Sequence, residues 1–528
     1  MIERGCDIGF YYDPLYGHIP LLPIYRRALN LDVLQRLRRL KQLGPLDLVF
    51  PSATHTRFSH SVGVFHIANL MFESIFDKYV RYGKNKGWPP LSPIHKEALL
   101  LAALFHDIGH GPFSHVFEMA CKRIEAYKSY KHDFVTKRLI ENGIGRYTGV
   151  PQFLRRERDR LRKQGATSNE LKWLKPEVIS ALAIGEPPPC DPRYLFLSQI
   201  ISSTFDADRM DYLRRDAYFT GVETGRVDIW MIINNLILYP LDKSKNIFAL
   251  GIDRKAASAA EAFVLARDLT YRRVYYNPTH RGVQELIIRA FDELREIYSP
   301  EEIVMDTDET IVKKFEEGTS FTKKVAERLK NRNLYDPVPY EFNLYKDLKP
   351  YISRIKELQM KREDVYAVEN DLKRKLKLPR EETVIIDIEP VPLTEREAYT
   401  KKLFYDEIYG EMFSLRELLP HLDLLVGTIN ALGIDLYFEY CNRISDIRVY
   451  LPRDLMESFL NNCIEDIRQT GPNLRDYLEQ KFHNSIFLII FNELMELFNV
   501  TPKDKKGLLN RYKKRIVKYL ERKIRDQI

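Results

Sequence analysis

Cysteine is scarce in this chain. The five present in 528 residues (Cys6, Cys121, Cys190, Cys441 and Cys463) show no CxxC and no paired spacing. That argues against a disulfide framework and for a reducing compartment. Long apolar runs are missing as well. No uninterrupted stretch approaches the roughly 18 residues of a membrane span, and the opening MIERGCDIGFYYDPLYG has no apolar signal core. The expectation is a soluble, cytoplasmic protein without a membrane partner. Charge of one sign is not dominant either: 82 Lys and Arg against 74 Asp and Glu leave +8. Such a balance permits an anionic substrate without implying nucleic acid. GxxxxGK[ST], a convincing GxGxxG and HExxH are all absent, which removes the usual signatures of P-loop, dinucleotide-binding and zinc-peptidase chemistry. There is no low-complexity tract and no solenoid-length repeat.

What the chain does have is an ordinary globular composition, 45% hydrophobic with 31 Tyr and 28 Phe, over a length that holds two or more cores. Apolar spacing predicts mainly helix. Val33, Leu37, Leu40 and Leu43 recur at helical intervals from Asp32, and Gly44-Pro45 ends that segment. A helix from about Ser59 carries His60 on its inward face, and Glu97 to Phe105 reads as a deeply buried helix. RRERDRLRKQ near 160 reads as a solvated helix. IFALGID suggests a short β excursion, and Val384 to Ile388 is strand-like. The basic close, KDKKGLLNRYKKRIVKYLERKIRDQI, reads as an amphipathic helix.

Chemistry concentrates in LLLAALFHDIGHGPFSH, where an apolar run breaks into three His, one Asp and two Gly. Burying such groups unpaired costs several kcal/mol each, so they call for an ion, each other or a charged ligand. His60, His106, Asp107 and Asp208 form a scattered set of metal-type ligands. A mixed imidazole and carboxylate set suits Fe, Mn, Zn or Ni better than Ca. His106 and His110 stand four apart, and Asp208, Tyr212 and Asp216 share one helical face in DADRMDYLRRD.

RFSHSVG, AALFHDIGHGPFSH and FDADRMDY together resemble the HD-domain phosphohydrolase superfamily. DPLYGHIPLLPIYRRALN, LQRLRRLKQLG, VFPSATHTRFSHSVGV and LTYRRVYYN narrow the resemblance to its deoxynucleoside triphosphate triphosphohydrolases. The metazoan SAM-and-HD-domain enzymes and their bacterial relatives are the nearer branch, although no SAM domain fits here. The resemblance covers about residues 10–290. It implies a mainly α fold: an HD-domain helical core over 1–290 with small β excursions, and an α+β or helical lobe over 291–528 with a short strand region near 383–389.

It also implies roles. His60, His106, Asp107 and Asp208 would hold a divalent metal (Mn, Fe, Mg, Zn or Ni). His115, oriented by Glu118, matches the acid for the 5′-oxygen, and His110 and His132 match phosphate-contacting positions. Arg57, Arg209, Arg267 and Tyr212 match partners of a triphosphate. Gln42 and Asp216 match the pair that reads a 3′-hydroxyl, and Leu43 the residue that excludes a 2′-hydroxyl. Tyr275 and Tyr271 match positions over sugar and base. Asn30, Gln35 and Arg38 match an activator-reading segment. Asn30 replaces an acidic residue there, so guanine-nucleotide activation is expected to be absent or altered. The partners implied are dNTP substrates, a nucleotide activator and further copies of the chain, as dimer or tetramer. Two other functions remain open on the residues alone: a different HD-type nucleotide phosphohydrolase or phosphodiesterase, and a nucleic-acid binder using the basic C-terminal helices.

Overall fold

A computed structural model of the chain describes residues 8–225, 227–337, 351, 353–354, 357–358, 362–388, 402–406, 411–418, 448–470, 473–482 and 485–525. Cys6 and Cys441 lie outside these residues. The fold is mainly α and divides into two compact units. The first comprises Met1–Tyr275, Tyr298–Ile311 and Thr394–Leu424, and the second the remainder.

The first unit opens with an antiparallel hairpin, β1 (Gly9–Asp13) and β2 (Gly17–Leu21). Helices α1 (Pro23–Leu29) and α2 (Asp32–Arg36) follow. The helix expected to run on to Leu43 instead tightens into a 3-10 turn at Leu37–Arg39. Lys41 then bridges Thr56, and Gly44 takes φ +56. Gln42 and Leu43 therefore sit on a turn, where only glycine at position 44 tolerates the left-handed backbone cheaply.

Helix α3 (Arg57–Lys78) starts at an N-cap, Thr56, whose side chain accepts from the Ser59 amide. Against it packs α4 (Pro93–Phe105), in which Leu99 through Phe105 are wholly buried. Such an all-round apolar helix has to lie in the middle of the core. Then follow α5 (His115–Arg123), α6 (His132–Glu141), α7 (Gly149–Lys163), α8 (Ser168–Leu171), α9 (Pro176–Ala183) and α10 (Leu195–Ile201), of which α9 and α10 also pack against α4. Next comes α11 (Ala207–Thr220), capped by Asp206 and stopped at Gly221 with φ +73. After α12 (Ile229–Asn234), strands β3 (Leu236–Asp242) and β4 (Ile247–Asp253) form a hairpin. Lys402–Asp406 extends it in parallel and Glu411–Ser414 in antiparallel register. Helix α13 (Ala257–Thr270) runs directly into a π-helical turn at Tyr271–Tyr275.

In the second unit Arg448–Pro452 is flanked by Tyr335–Pro337 and Ile385–Asp387, both antiparallel to it. Phe487, Ile490, Phe491, Tyr512, Ile516 and Leu520 belong to its core. The basic helix Pro502–Arg525 buries Leu508, Tyr512, Ile516, Leu520 and Ile524 along one stripe. Its other face, rich in Lys and Arg, is the solvated one that amphipathic spacing predicts. No helix of the described residues is long and apolar enough to cross a membrane.

Candidate metal centre and substrate site

Three elements of the first unit bring the four expected ligands together. His60 lies one turn into α3, His106 and Asp107 follow the end of α4, and Asp208 is in the first turn of α11. His60 Nε2 is 3.0 Å from Asp208 Oδ1 and 3.6 Å from Asp107 Oδ2. His106 Nε2 is 3.2 Å from Asp107 Oδ1 and 3.8 Å from Asp208 Oδ1. His60, His106 and Asp208 each present a ligand atom, all within 4.8 Å of one another. The Nε2 atoms of His60 and His106 are buried without a hydrogen-bond partner. Their Nδ1 atoms are committed elsewhere, to Asp211 Oδ2 at 2.7 Å and to the Ala103 carbonyl at 2.8 Å. That arrangement presents a ring-nitrogen lone pair from each histidine to one point.

Electrostatics agree with a cation there. Burial works against a charged His60, but the surrounding carboxylates of Asp208, Asp211 and Asp107 outweigh it and lift its pKa to about 10. Burial likewise opposes an ionised Asp107, yet His106, Arg57 and His110 hold its carboxyl well below the usual range. A divalent ion held here would compete with the proton on His60 for this dense set of carboxylates.

Helix α4 ends at Phe105, so His106 and His110 are not on one helical face. The chain turns there through Ile108 N–H to Phe105 O and His110 N–H to Asp107 O. Arg36, itself buried, holds this turn by donating to the carbonyls of Ile108 (3.3 Å) and His110 (2.6 Å). It also donates to those of Val304, Met305 and Asp306.

Beside the ligand set lies a second cluster around Glu118. His115 Nδ1 is 3.0 Å from Glu118 Oε2, and His110 Nδ1 is 3.5 Å from Oε1. His132 Nδ1 is paired to the same Oε1. The His110 and His132 rings stack at 4.3 Å. Burial and the Arg57 charge press His110 down to about 3, whereas His132 is raised well above the ordinary value because Glu118 and Asp133 overcome its burial. One ring is therefore neutral and its neighbour cationic at neutral pH. His115 opens α5, and its side chain is 58% exposed, placing it at the mouth of the cluster.

The loop that delivers His115 is strained. Phe113 and Ser114 both have positive φ, at 57° and 55°. Such positions cost about 1–3 kcal/mol each and persist only when surroundings impose them. Here the Phe113 amide donates to Asp308 Oδ1 at 2.7 Å, and Asp308 Oδ2 accepts from the Lys41 amide at 2.8 Å. Ser114 Oγ donates to Lys41 O at 2.8 Å and accepts from Arg57 Nε at 2.7 Å. Arg57 Nη1 meets Asp107 Oδ2 at 2.5 Å, leaving its buried Nη2 without a partner.

A third group surrounds Asp216. His55 Nε2 lies 2.8 Å from Asp216 Oδ1, and the Tyr275 hydroxyl donates to Oδ2. Tyr275 packs against the apolar group of Leu43, Leu46, Ala53 and Val274. Gln42 is buried with Oε1 unpartnered, and its backbone N–H donates to the His55 carbonyl at 2.9 Å. The Tyr212 hydroxyl accepts from Arg267 Nε at 3.1 Å. Arg267 lies 5.3 Å over the Tyr271 ring, and Tyr271 meets Tyr275 edge-on at 4.8 Å. Arg209 is turned back onto Asp206 and the Ser203 carbonyl, still within reach of the Arg267 charge. Asn30, Gln35 and Arg38 are not brought to these clusters. Asn30 is exposed after α1, Gln35 bonds the Leu29 carbonyl, and Arg38 bonds Gln35 and stacks 3.7 Å over Phe58.

Sequence reasoning missed His55, Asp211 and Asp308. His55 is a lone histidine, and no spacing in the sequence distinguishes it from an ordinary core histidine. Asp211 offered one usable signal, its place in the same acidic helix as Asp208. Asp308 is about two hundred positions from the loop it holds, and no local pattern marks it.

The HD domain family matches residues 57–215 and the HD associated region matches 227–428. An uncharacterized Bacillus subtilis protein, YwfO, is 31% identical over 264 residues, 50% of each chain. The chain thus spans about half the length of that curated relative. A Dictyostelium discoideum homolog of deoxynucleoside triphosphate triphosphohydrolase SAMHD1 is 25% identical over 344 residues, 61% of this chain and 58% of its own. Among solved structures, a hypothetical protein from Aquifex aeolicus superposes with a TM-score of 0.57 at 25% identity, covering 86% of this chain and 98% of that one.

Proposed function

The chain belongs to the HD-domain hydrolases, and from that premise we propose that it is a divalent-metal-dependent triphosphohydrolase of deoxynucleoside triphosphates. One observation carries the reading: two buried, partnerless imidazole Nε2 atoms converge on the Asp208 carboxylate beside Asp107. His60, His106, Asp107 and Asp208 would hold the ion. Once bound, it supplies Lewis acidity toward a phosphoryl oxygen and lowers the pKa of water.

The remaining roles belong to the side chains. Arg57, with its unpartnered Nη2, the Arg267–Tyr212 pair, Arg209 and the cationic His132 provide donors for a triphosphate. In the reaction water adds at the α-phosphorus and the bond to the 5′-oxygen breaks. That oxygen leaves as an alkoxide and needs a proton. His115, with Nδ1 committed to Glu118, has Nε2 for that transfer, and Glu118 fixes its orientation. Asp216 and Gln42 take the 3′-hydroxyl, Leu43 fills the space a 2′-hydroxyl would need, and Tyr275 and Tyr271 cover sugar and base. The similarity to the Dictyostelium deoxynucleoside triphosphate triphosphohydrolase SAMHD1 homolog supports this substrate class. A homo-oligomer, dimer or tetramer, is part of the same proposal and is read by light scattering.

Incubation with each dNTP and rNTP, with Mn²⁺ or Mg²⁺, tests the reading. Deoxynucleoside plus tripolyphosphate, resolved by ion-pair chromatography, is the expected result. Hydrolysis of a monophosphate or a cyclic nucleotide, with dNTPs untouched, would overturn it in favour of another HD phosphohydrolase. The cluster of guanidiniums speaks against that second reading.

A further inference from the structure

We propose that Asp13, Arg215 and Asp211 form a buried charge relay that seats His60, making the N-terminal hairpin β1–β2 a determinant of divalent-cation affinity. The inference rests on the metal reading above, and all its members lie in the first unit.

The relay begins in the hairpin. Asp13 ends β1, and its Oδ1 accepts from the Leu15 amide at 2.8 Å and the Tyr16 amide at 3.2 Å, so the turn fixes the carboxylate. Its other oxygen, Oδ2, lies 2.9 Å from Arg215 Nη1 on α11. Arg215 grips Asp211 one helical turn earlier with two parallel bonds, Nε to Oδ2 at 2.8 Å and Nη2 to Oδ1 at 2.9 Å. Asp211 Oδ2 then takes the Nδ1 side of His60 at 2.7 Å. Charges alternate along this line, and every member is at most 5% exposed.

Two features separate this from an incidental ion pair. A guanidinium buried to 0% needs one carboxylate for neutrality; Arg215 has two, and the second is supplied by a different element. Burying the extra carboxylate is costly unless its oxygens are hydrogen-bonded, and here Asp211 Oδ2 also faces the Nδ1 side of an expected ligand's imidazole. The helices are also built around the pair. A Cβ on Gly63, one turn beyond His60 on α3, would stand 1.9 Å from Asp211 Oδ1 and 2.5 Å from Arg215 Nη2. Residue 63 has no side chain because the relay occupies that space.

The consequence follows from coordination chemistry. A ring that donates its other N–H to a carboxylate is held in one tautomer and orientation and is a stronger base toward the ion. Arg215 sets where Asp211 sits, and Asp13 sets where Arg215 sits. The three are positioning residues, since none reaches the ion or the substrate.

Chelator competition with Mn²⁺ on the full chain tests this, alongside thermal unfolding of the metal-free protein. Asp211→Asn and Asp13→Asn are each expected to weaken Mn²⁺ binding by about 10–100-fold. Their combination should lose little beyond Asp211→Asn alone, because both act through one ring. Asp13→Glu, which keeps the charge, should recover most of the affinity. Wild-type affinity in Asp13→Asn, or losses that multiply in the double variant, would overturn the relay. Should Asp13→Asn fail to fold, Arg215→Lys carries the test. One ammonium cannot reproduce the fork on Asp211 while reaching Asp13, so a severalfold weaker ion is expected and unchanged affinity refutes the idea. A wild-type chain that takes up no divalent ion would overturn the relay and the hydrolase reading together. Ion uptake indifferent to these variants would overturn the relay alone.

Discussion

Gly109→Ala is the substitution for which the structure gives the sharpest expectation. Gly109 sits between the ligand pair His106-Asp107 and His110, and it does not need glycine for its backbone angles. It needs glycine for space. A Cβ there would lie 2.3 Å from the His132 carbonyl and 2.4 Å from the Thr136 amide. These are backbone atoms of α6 that cannot rotate aside, and the shortfall from ordinary contact is about 1 Å. Helix α6 must retreat, breaking the Gly109 N–H bond to Thr136 Oγ1 at 3.0 Å. Overpacking costs about 1–3 kcal/mol and the lost bond about 1 kcal/mol more. The midpoint of thermal unfolding should then fall by about 3–6 °C. His132 opens α6 and moves with it, so turnover should fall by about a hundredfold, the usual effect of a 1 Å displacement. Calorimetry and steady-state turnover at saturating dNTP read the two effects. Gly507→Ala, with nothing within 4 Å of its Cβ, is the control and should be neutral or slightly stabilising. Wild-type stability in Gly109→Ala would refute the packing argument, and full turnover despite lost stability would refute the link to His132.

Asp107→Ala should remove bound metal and turnover together, seen by elemental analysis and product assay, because Asp107 lies within 3.6 Å of three ring nitrogens. Leu43→Gly should narrow the preference for dNTPs over rNTPs about tenfold or more in kcat/KM, at a cost in stability from its apolar cluster. An unchanged ratio places the sugar elsewhere. Glu97 is buried on α4, and burial together with the charge of Glu157 lifts its carboxyl from 4.5 to about 7. Its folded pKa lies above the unfolded one. The penalty for ionising it therefore grows as pH rises from 4.5 to 7 and is complete above that. Glu97→Gln should stabilise the protein by about 3 kcal/mol at pH 8 and by almost nothing at pH 4. Denaturant titrations at the two pH values would show it, and an equal gain at both would refute the assignment.

The candidate metal cluster was legible in sequence as a grouping of titratable residues, because its chemistry is local. A buried apolar helix that ends in HDIGH, and an acidic helix DADRMDY, each announce groups that need partners. Gln42 and Leu43 were placed correctly in chain order but wrongly in shape. Apolar spacing continues through Leu43, whereas the Lys41–Thr56 bridge and the backbone of Gly44 break the helix after Arg36. Asp308 and Asp13 were out of reach for a different reason. Each acts on residues from distant stretches of chain, and periodicity carries no information about which loops will meet. Arg209 lies on the expected face, yet its guanidinium is drawn to the Asp206 cap, a local competition that residue spacing does not rank.

Arg36 ties together two stretches of chain that are made far apart in time. Its guanidinium joins the turn at Ile108–His110 to Val304–Asp306. At roughly 5–20 residues per second, the later stretch leaves the ribosome about 10–40 s after the earlier one. Over about the second half of that interval every expected metal ligand from His60 to Asp208 can already be present, while the arginine that fixes their central turn lacks three of its five acceptors. The site is thus among the last parts of its unit to take final form. A nascent chain long enough to contain all its ligands is still too short to hold them in place.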